Sequence, residues 1–201
     1  MTIDISNLNT LTLEENVKNN FKRAGNETTL IHTLQVRYNI LNLAKRFGID
    51  EEKAVVAALL HDISSLIPVS DYLETAELYG LEILPEERRI PLLLHQKLSR
   101  VIAVETFDIS DKEVLNAIAC HSTLRKNASD LDKILFLADK LSWKPEDLPP
   151  FMPLVNNQLR HSLNGAVYCY LFNYLQQLDS QAVHPWLKEA LSDLRPLAMA
   201  S

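Results

Sequence analysis

The chain reads as an all-α protein, a helical bundle with a C-terminal helical extension. Three observations predict this. Apolar residues recur at spacings of three and four, cap residues punctuate those segments, and alternating strand patterns are nearly absent. Thr12 opens a helix near 12–24, which Gly25 closes. A second helix runs near 29–47 and ends before Gly48, and Asp50 starts a third near 51–65. Further helices are predicted near 70–79 (stopped by Gly80), 86–94, 96–106, 111–122, 130–142, 155–178 and 186–195. Ser110 and Glu113 have the spacing of a capping box, and Ser129 begins the helix at 130. The stretch KPEDLPPFMP, 144–153, is too rich in proline for a helix and is read as a loop. There is no internal repeat. One domain, 1–201, with a core of about 29–142 and C-terminal helices at 155–195, is the economical organisation.

The 201 residues are ample for a buried core. A hydrophobic share of 47% and a charged share of 23% are ordinary globular values. The formal charge of −6 disfavours broad binding to a nucleic acid polymer or an anionic membrane. A small anionic substrate would need local cations or bound metal. The two cysteines, Cys120 and Cys169, lie in apolar helical patterns and form no metal or redox motif. The opening MTIDISNLNTLTLEEN lacks a signal pattern, and no apolar run approaches the roughly 20 residues of a membrane span. A cytoplasmic protein is expected.

Six histidines are present, and four fall on apolar helix faces. His32 shares a stripe with Val36, Ile40 and Leu43. His61 follows Ala54, Ala57 and Ala58. His95 lies between Leu92 and Leu98, and His121 follows Ala117 and Ile118. His161, among polar neighbours, is expected in solvent, and His184 precedes Pro185 at a helix start. Two aspartates are equally misplaced: Asp62, directly after His61, and Asp139 inside ILFLADKL. A buried unpaired carboxylate costs several kcal/mol unless a cation joins it. The nearby Lys133 and Lys140 are expected to point elsewhere on the helix. Alone, each histidine is more often a hydrogen-bonded core residue than a ligand. Together, the order H…HD…H…H…D on five helices implies convergence. Imidazole nitrogen and carboxylate oxygen suit divalent metals. One site takes about four ligands, so six imply two metals and a bridging carboxylate. Adjacent helical residues differ by about 100° in direction. His61 and Asp62 are therefore expected to grip neighbouring parts of a dinuclear centre from one helix turn.

This ordered set resembles the HD-domain metal-dependent phosphohydrolases, most nearly the YqeK-like symmetrical diadenosine tetraphosphate hydrolases. The segments HTLQV, ALLHD and HSTLRKNASDLDKILFLADKL carry the resemblance over roughly 29–141. It implies that His32, His61, Asp62 and Asp139 hold one divalent metal, usually iron. Asp62 would bridge to a second metal held by His95 and His121. Manganese, zinc and magnesium suit the same ligand types. It further implies hydroxide attack at phosphorus in a nucleotide phosphoanhydride or phosphoester, with Asp62 and Lys133 as the catalytic pair. Lys133 matches the family position, while Lys97, Arg100 and Arg125 are candidates for binding phosphate beside it. Two departures stand out. The lysine common three residues after the aspartate is Ser65 here, and the usual downstream arginine motif is replaced by Leu141-Ser142-Trp143-Lys144-Pro145-Glu146. They motivate the alternative of a nucleotide-binding regulatory protein with a catalytically weak site. A purely structural helical protein is the third reading. The predicted helix at 155–178 offers Leu159, Ala166, Tyr170 and Phe172 for packing on the domain or on a second copy, so a homodimer is an allowed partner. Gly165 marks either a close helix approach or a tolerated weak spot.

Overall fold

The computed structural model describes residues 12–178 and 183–199. Eleven α-helices and no strands occur among them: α1 (Leu13–Arg23), α2 (Glu27–Phe47), α3 (Glu51–Leu60), α4 (Tyr72–Leu78), α5 (Pro85–Arg89), α6 (His95–Glu105), α7 (Lys112–Cys120), α8 (Asp130–Leu141), α9 (Met152–Leu159), α10 (Leu163–Gln177) and α11 (Pro185–Met199). Thr12, Asp50 and Ser129 cap α1, α3 and α8 with their side-chain oxygens, as the sequence predicts. Gly48 ends α2 at φ 67°, a left-handed conformation that glycine adopts without a Cβ penalty.

Helix α8 is the hub. Every residue from Leu131 to Lys140 is buried, and α2, α3, α7 and α10 pack around it. A helix enclosed on all sides has no solvent face to which charges can retreat. Its four buried charges are therefore all paired. Asp132 bonds to Arg125, Lys133 to Asp130, and Asp139 to both His32 and Lys140. Tyr170 of α10 packs edge-on against Phe136, with ring centroids 5.3 Å apart, and ties the C-terminal helices to the back of this hub.

Several predicted boundaries shift, each for a local reason. The helix expected at 51–65 stops at Leu60, and a 3-10 turn follows at Ile63–Leu66. Tertiary bonds replace the helical ladder there. The Ser64 amide donates to Ser99 Oγ at 3.1 Å, and Ser64 Oγ donates to the His95 carbonyl at 2.9 Å. The segment 86–94 divides before Pro91 into α5 and a 3-10 turn, because proline cannot continue the ladder. The Ser110 capping box does not form. Asp111 caps α7 instead, its carboxylate accepting from the Glu113 and Val114 amides. The single helix expected at 155–178 is broken into α9 and α10. Ser162 caps the second piece through a bond from the Gly165 amide at 3.0 Å. A Cβ on Gly165 would lie 3.2 Å from Gln158 Oε1 and 3.3 Å from Ser162 Cβ, so the glycine serves this tight junction. Leu159, Ala166 and Tyr170 are buried and Phe172 is exposed. The proline-rich loop contains a 3-10 turn at Pro145–Asp147, and its end supplies the first turn of α9.

Candidate metal centre

The four inward histidines and two aspartates converge. Three of the imidazoles sit at helix ends: His61 just after α3, His95 as the first residue of α6, and His121 just after α7. Each sends Nδ1 to the carbonyl three residues back, Ala58 at 2.7 Å, Leu92 at 2.7 Å and Ile118 at 2.9 Å. At the ends of α3 and α7 terminal carbonyls lack helical partners, so the ring N–H satisfies them; the Leu92 carbonyl, which already accepts the His95 amide, takes the ring N–H as a second bond. A carbonyl only accepts, so the proton must be on Nδ1 in all three rings. That leaves Nε2 as the nitrogen facing inward.

Those nitrogens surround Asp62. Its Oδ2 lies 3.3 Å from His61 Nε2 and 3.9 Å from His32 Nε2. Its Oδ1 lies 3.3 Å from His121 Nε2 and 3.8 Å from His95 Nε2. One carboxylate thus serves two pairs of imidazoles, one pair per oxygen. His32, His61 and Asp62 form one candidate ligand group, and Asp62, His95 and His121 form another. Asp139 joins the first group through His32, with Oδ1 at 3.0 Å from Nε2. The arrangement does not come from one helix turn, as the sequence reading had it. Asp62 has left the helix (φ −111°, ψ 18°), and this departure swings its carboxylate between the two pairs.

The donor set fits divalent cations. His61 Nε2 is buried and makes no hydrogen bond. His95 and His121 bring their Nε2 atoms to 3.1 Å from each other, although both Nδ1 protons are already committed. Two lone pairs at that separation repel unless a proton or a metal stands at them. Electrostatics agree. Burial disfavours a charged His61, but adjacent Asp62 outweighs it and raises the imidazole to about 9. Burial and His121 lower His95 to about 4. Burial would raise both aspartates, yet His61 and His121 hold Asp62 well below the usual carboxylate range, and Lys140 and His32 do the same for Asp139. Both carboxylates thus favour the ionised form that binds a metal.

A second layer fixes this cradle. Gln96 is fully buried; its Oε1 accepts from the Ser122 and Thr123 amides, and its Nε2 donates to Thr123 Oγ1 at 2.9 Å. Just beyond, buried Leu124 is held at φ 56°, a strained conformation for a branched side chain. Ser122 Oγ stands 2.9 Å from His95 Nε2. The centre opens into a cavity of about 300 Å³, also bordered by Thr29, Ser65, Tyr72, Lys140 and Trp143.

The nominated cations fall elsewhere. Lys133 bonds to Asp130, and Arg125 is taken by Asp132. Lys97 is bound to buried Glu87 at 2.8 Å and to the Glu82 carbonyl, and Arg100 is exposed. None of the four borders this cavity. The cation that does is Lys140, which the sequence reading placed away from the site. Its Nζ donates to Asp139 Oδ2 at 2.7 Å and lies over the Phe136 and Trp143 rings. A lysine directly after a candidate ligand aspartate in an enclosed helix was the available signal. His161 is exposed, as expected, whereas His184 is buried against Glu87.

The fold and the donor set define an all-helical protein built around a cradle for divalent metal. Residues 29–144 match the model of the HD domain family, described as "HD domain". A protein of Lactococcus lactis subsp. cremoris, "Uncharacterized protein in pepC 5'region", is 44% identical over 146 residues, 73% of this chain and 74% of that protein. The "Bis(5'-nucleosyl)-tetraphosphatase, symmetrical" of Halalkalibacterium halodurans is 33% identical over 165 residues, 77% of this chain and 82% of the relative. The crystal structure of a "predicted HD superfamily hydrolase involved in NAD metabolism" from Clostridium acetobutylicum superposes with a TM-score of 0.83 at 28% identity. It covers 91% of this chain and 97% of that one. The chain belongs to the HD domain family and is a hydrolase of that superfamily. No single helix among the described residues is long and apolar enough to cross a membrane.

Proposed function

We propose that the chain hydrolyses a phosphoanhydride or phosphoester bond of a nucleotide at a pair of divalent metals, with diadenosine tetraphosphate as the leading substrate. The observation that carries this is the division of Asp62 between two histidine pairs. His32, His61, Asp62 and Asp139 would hold one cation, and Asp62, His95 and His121 the other. Iron is favoured by the resemblance, and manganese, zinc and magnesium suit the same donor types. When bound, such a pair supplies positive charge against phosphate oxygens and a water acidified to near neutrality.

The chain's own residues do the rest. The three Nδ1 bonds orient the imidazoles before any ligand arrives, so little reorganisation is needed. Lys140 places an ammonium at the cavity edge, where it would pair with phosphate oxygens. It takes the role expected of Lys133 and offsets the absence of a lysine at Ser65. Cleavage at the centre of a tetraphosphate consumes one water and gives two ADP. The symmetrical activity in the name of the Halalkalibacterium relative supports this product pattern.

The test is elemental analysis of protein purified without chelator, coupled to chromatography of products from diadenosine tetraphosphate and a panel of mononucleotides. About two metals per chain and paired ADP products are expected. Bound metal without turnover on any nucleotide sinks the enzymatic reading. Nucleotide binding without turnover would favour the regulatory alternative, which Ser65 motivates.

A further inference from the structure

Next to the metal cavity lies a second cleft, of about 980 Å³, within the range of small-molecule sites. His32 and Trp143 border both spaces, so the two are neighbours across a shared rim. One wall comes from α2, with Thr28, Ile31 and Gln35. The other is the stretch after α8, including Trp143, Lys144 and Asp147. Ile31 is 69% exposed and Trp143 39% exposed. Two large apolar groups in water across one cleft, beside a catalytic cavity, mark a ligand groove rather than scattered surface apolarity.

The contacts of Trp143 specify the ligand further. Lys140 Nζ lies 5.6 Å from the Trp143 ring centroid while it bonds to Asp139 at 2.7 Å. A phosphate drawn to Lys140 therefore carries whatever is attached to it past the indole. An indole face recruits planar aromatic groups. Gln35 and Asp147 offer an amide and a carboxylate to the polar edge of such a group, and Lys144 offers a second cation further out.

We propose that this cleft is the nucleoside subsite, with the base stacked on Trp143 and its polyphosphate leading past Lys140 to the metal centre. The proposal rests on the nucleotide reading above and narrows it. The ligand must join an aromatic base to a phosphate chain, so inorganic polyphosphates and sugar phosphates lack the recognised part.

Equilibrium dialysis of the protein as purified, with a non-hydrolysable ATP analogue and with inorganic tripolyphosphate, tests it without turnover. The wild type should bind the nucleotide about tenfold more tightly, the scale of one stacked base. In Trp143→Ala the ratio of the two affinities should fall to near one, and Trp143→Phe should restore most of it. Circular dichroism checks that both variants fold, and the exposure of the indole makes that the expected result. The same ratio in Trp143→Ala as in wild type overturns the proposal. So does a wild type that prefers neither ligand. Sedimentation of the same samples covers the remaining occupant: an unchanged ratio with a loss of self-association in Trp143→Ala would mean that a second copy of the chain covers the cleft. Failure of nucleotide hydrolysis alongside an intact Trp143-dependent ratio would overturn the catalytic reading and leave the subsite standing.

Discussion

The metal cradle and the Trp143 cleft share a rim but are built on opposite principles. In the cradle, His61, His95 and His121 are tied to backbone carbonyls, and Gln96 holds the loop behind them through buried bonds. In the cleft, Ile31 and Trp143 stand partly in water on separate walls, and the Trp143 wall leads into a proline-rich segment. The first region fixes a geometry; the second presents a surface. Under the proposed function, chemistry that demands fixed distances belongs in the first, and choice of substrate belongs in the second, where a side chain can change without disturbing the candidate ligands.

Breaking the cradle should have the largest effect. Asp62→Ala removes the group common to both ligand sets. Turnover should fall by more than the 10–100-fold typical of second-layer losses, with metal content falling in parallel by elemental analysis. Full metal retention in this variant would show that Asp62 does not bridge. Lys140→Met tests the boundary between the regions. Losing a charge-assisted bond to phosphate should raise KM for a nucleotide about tenfold, with a smaller change in kcat, by steady-state kinetics. Gln96→Leu strands the Ser122 and Thr123 amides. It should cost about 1–3 kcal/mol in urea denaturation and loosen metal binding.

Acid sharpens the contrast in another way. Metal ligands must be deprotonated, so chelator resistance of the cradle should decline as pH falls. Elsewhere, burial would raise Glu87, but His184 and Lys97 outweigh it and hold the carboxyl below its ordinary value of 4.5. A depressed carboxyl contributes stability above 4.5 and loses it as pH falls toward the folded value. Wild type should therefore lose more denaturation midpoint below that pH than Glu87→Gln, measured in paired urea titrations. The smallest effect is expected at exposed Arg100, where Arg100→Ala should change KM by no more than about twofold, the scale of a screened surface charge.

Much of this was legible in the chain. Thr12, Asp50 and Ser129 announce helix starts through short-range bonds, and the six candidate ligands stand out because ionisable groups on apolar faces need a shared reason. What could not be read depends on partners distant in sequence. The break after Leu60 follows from Ser64 meeting Ser99 and the His95 carbonyl. Lys97 is claimed by Glu87 from another helix. Lys140 was misjudged because helical projection separates it from Asp139, whereas α8 is enclosed on every side and the flexible stem folds back to that carboxylate. The split between α9 and α10 hides in a stretch whose apolar spacing continues through the break.

The anchoring of His61 and His121 to the last turns of α3 and α7, and of His95 to the turn before α6, has a consequence for how the protein ages under heat. Helix ends unravel before helix middles. Each unravelled turn would release its imidazole, so cation loss on slow warming would report the melting of three termini while the enclosed α8 was still intact.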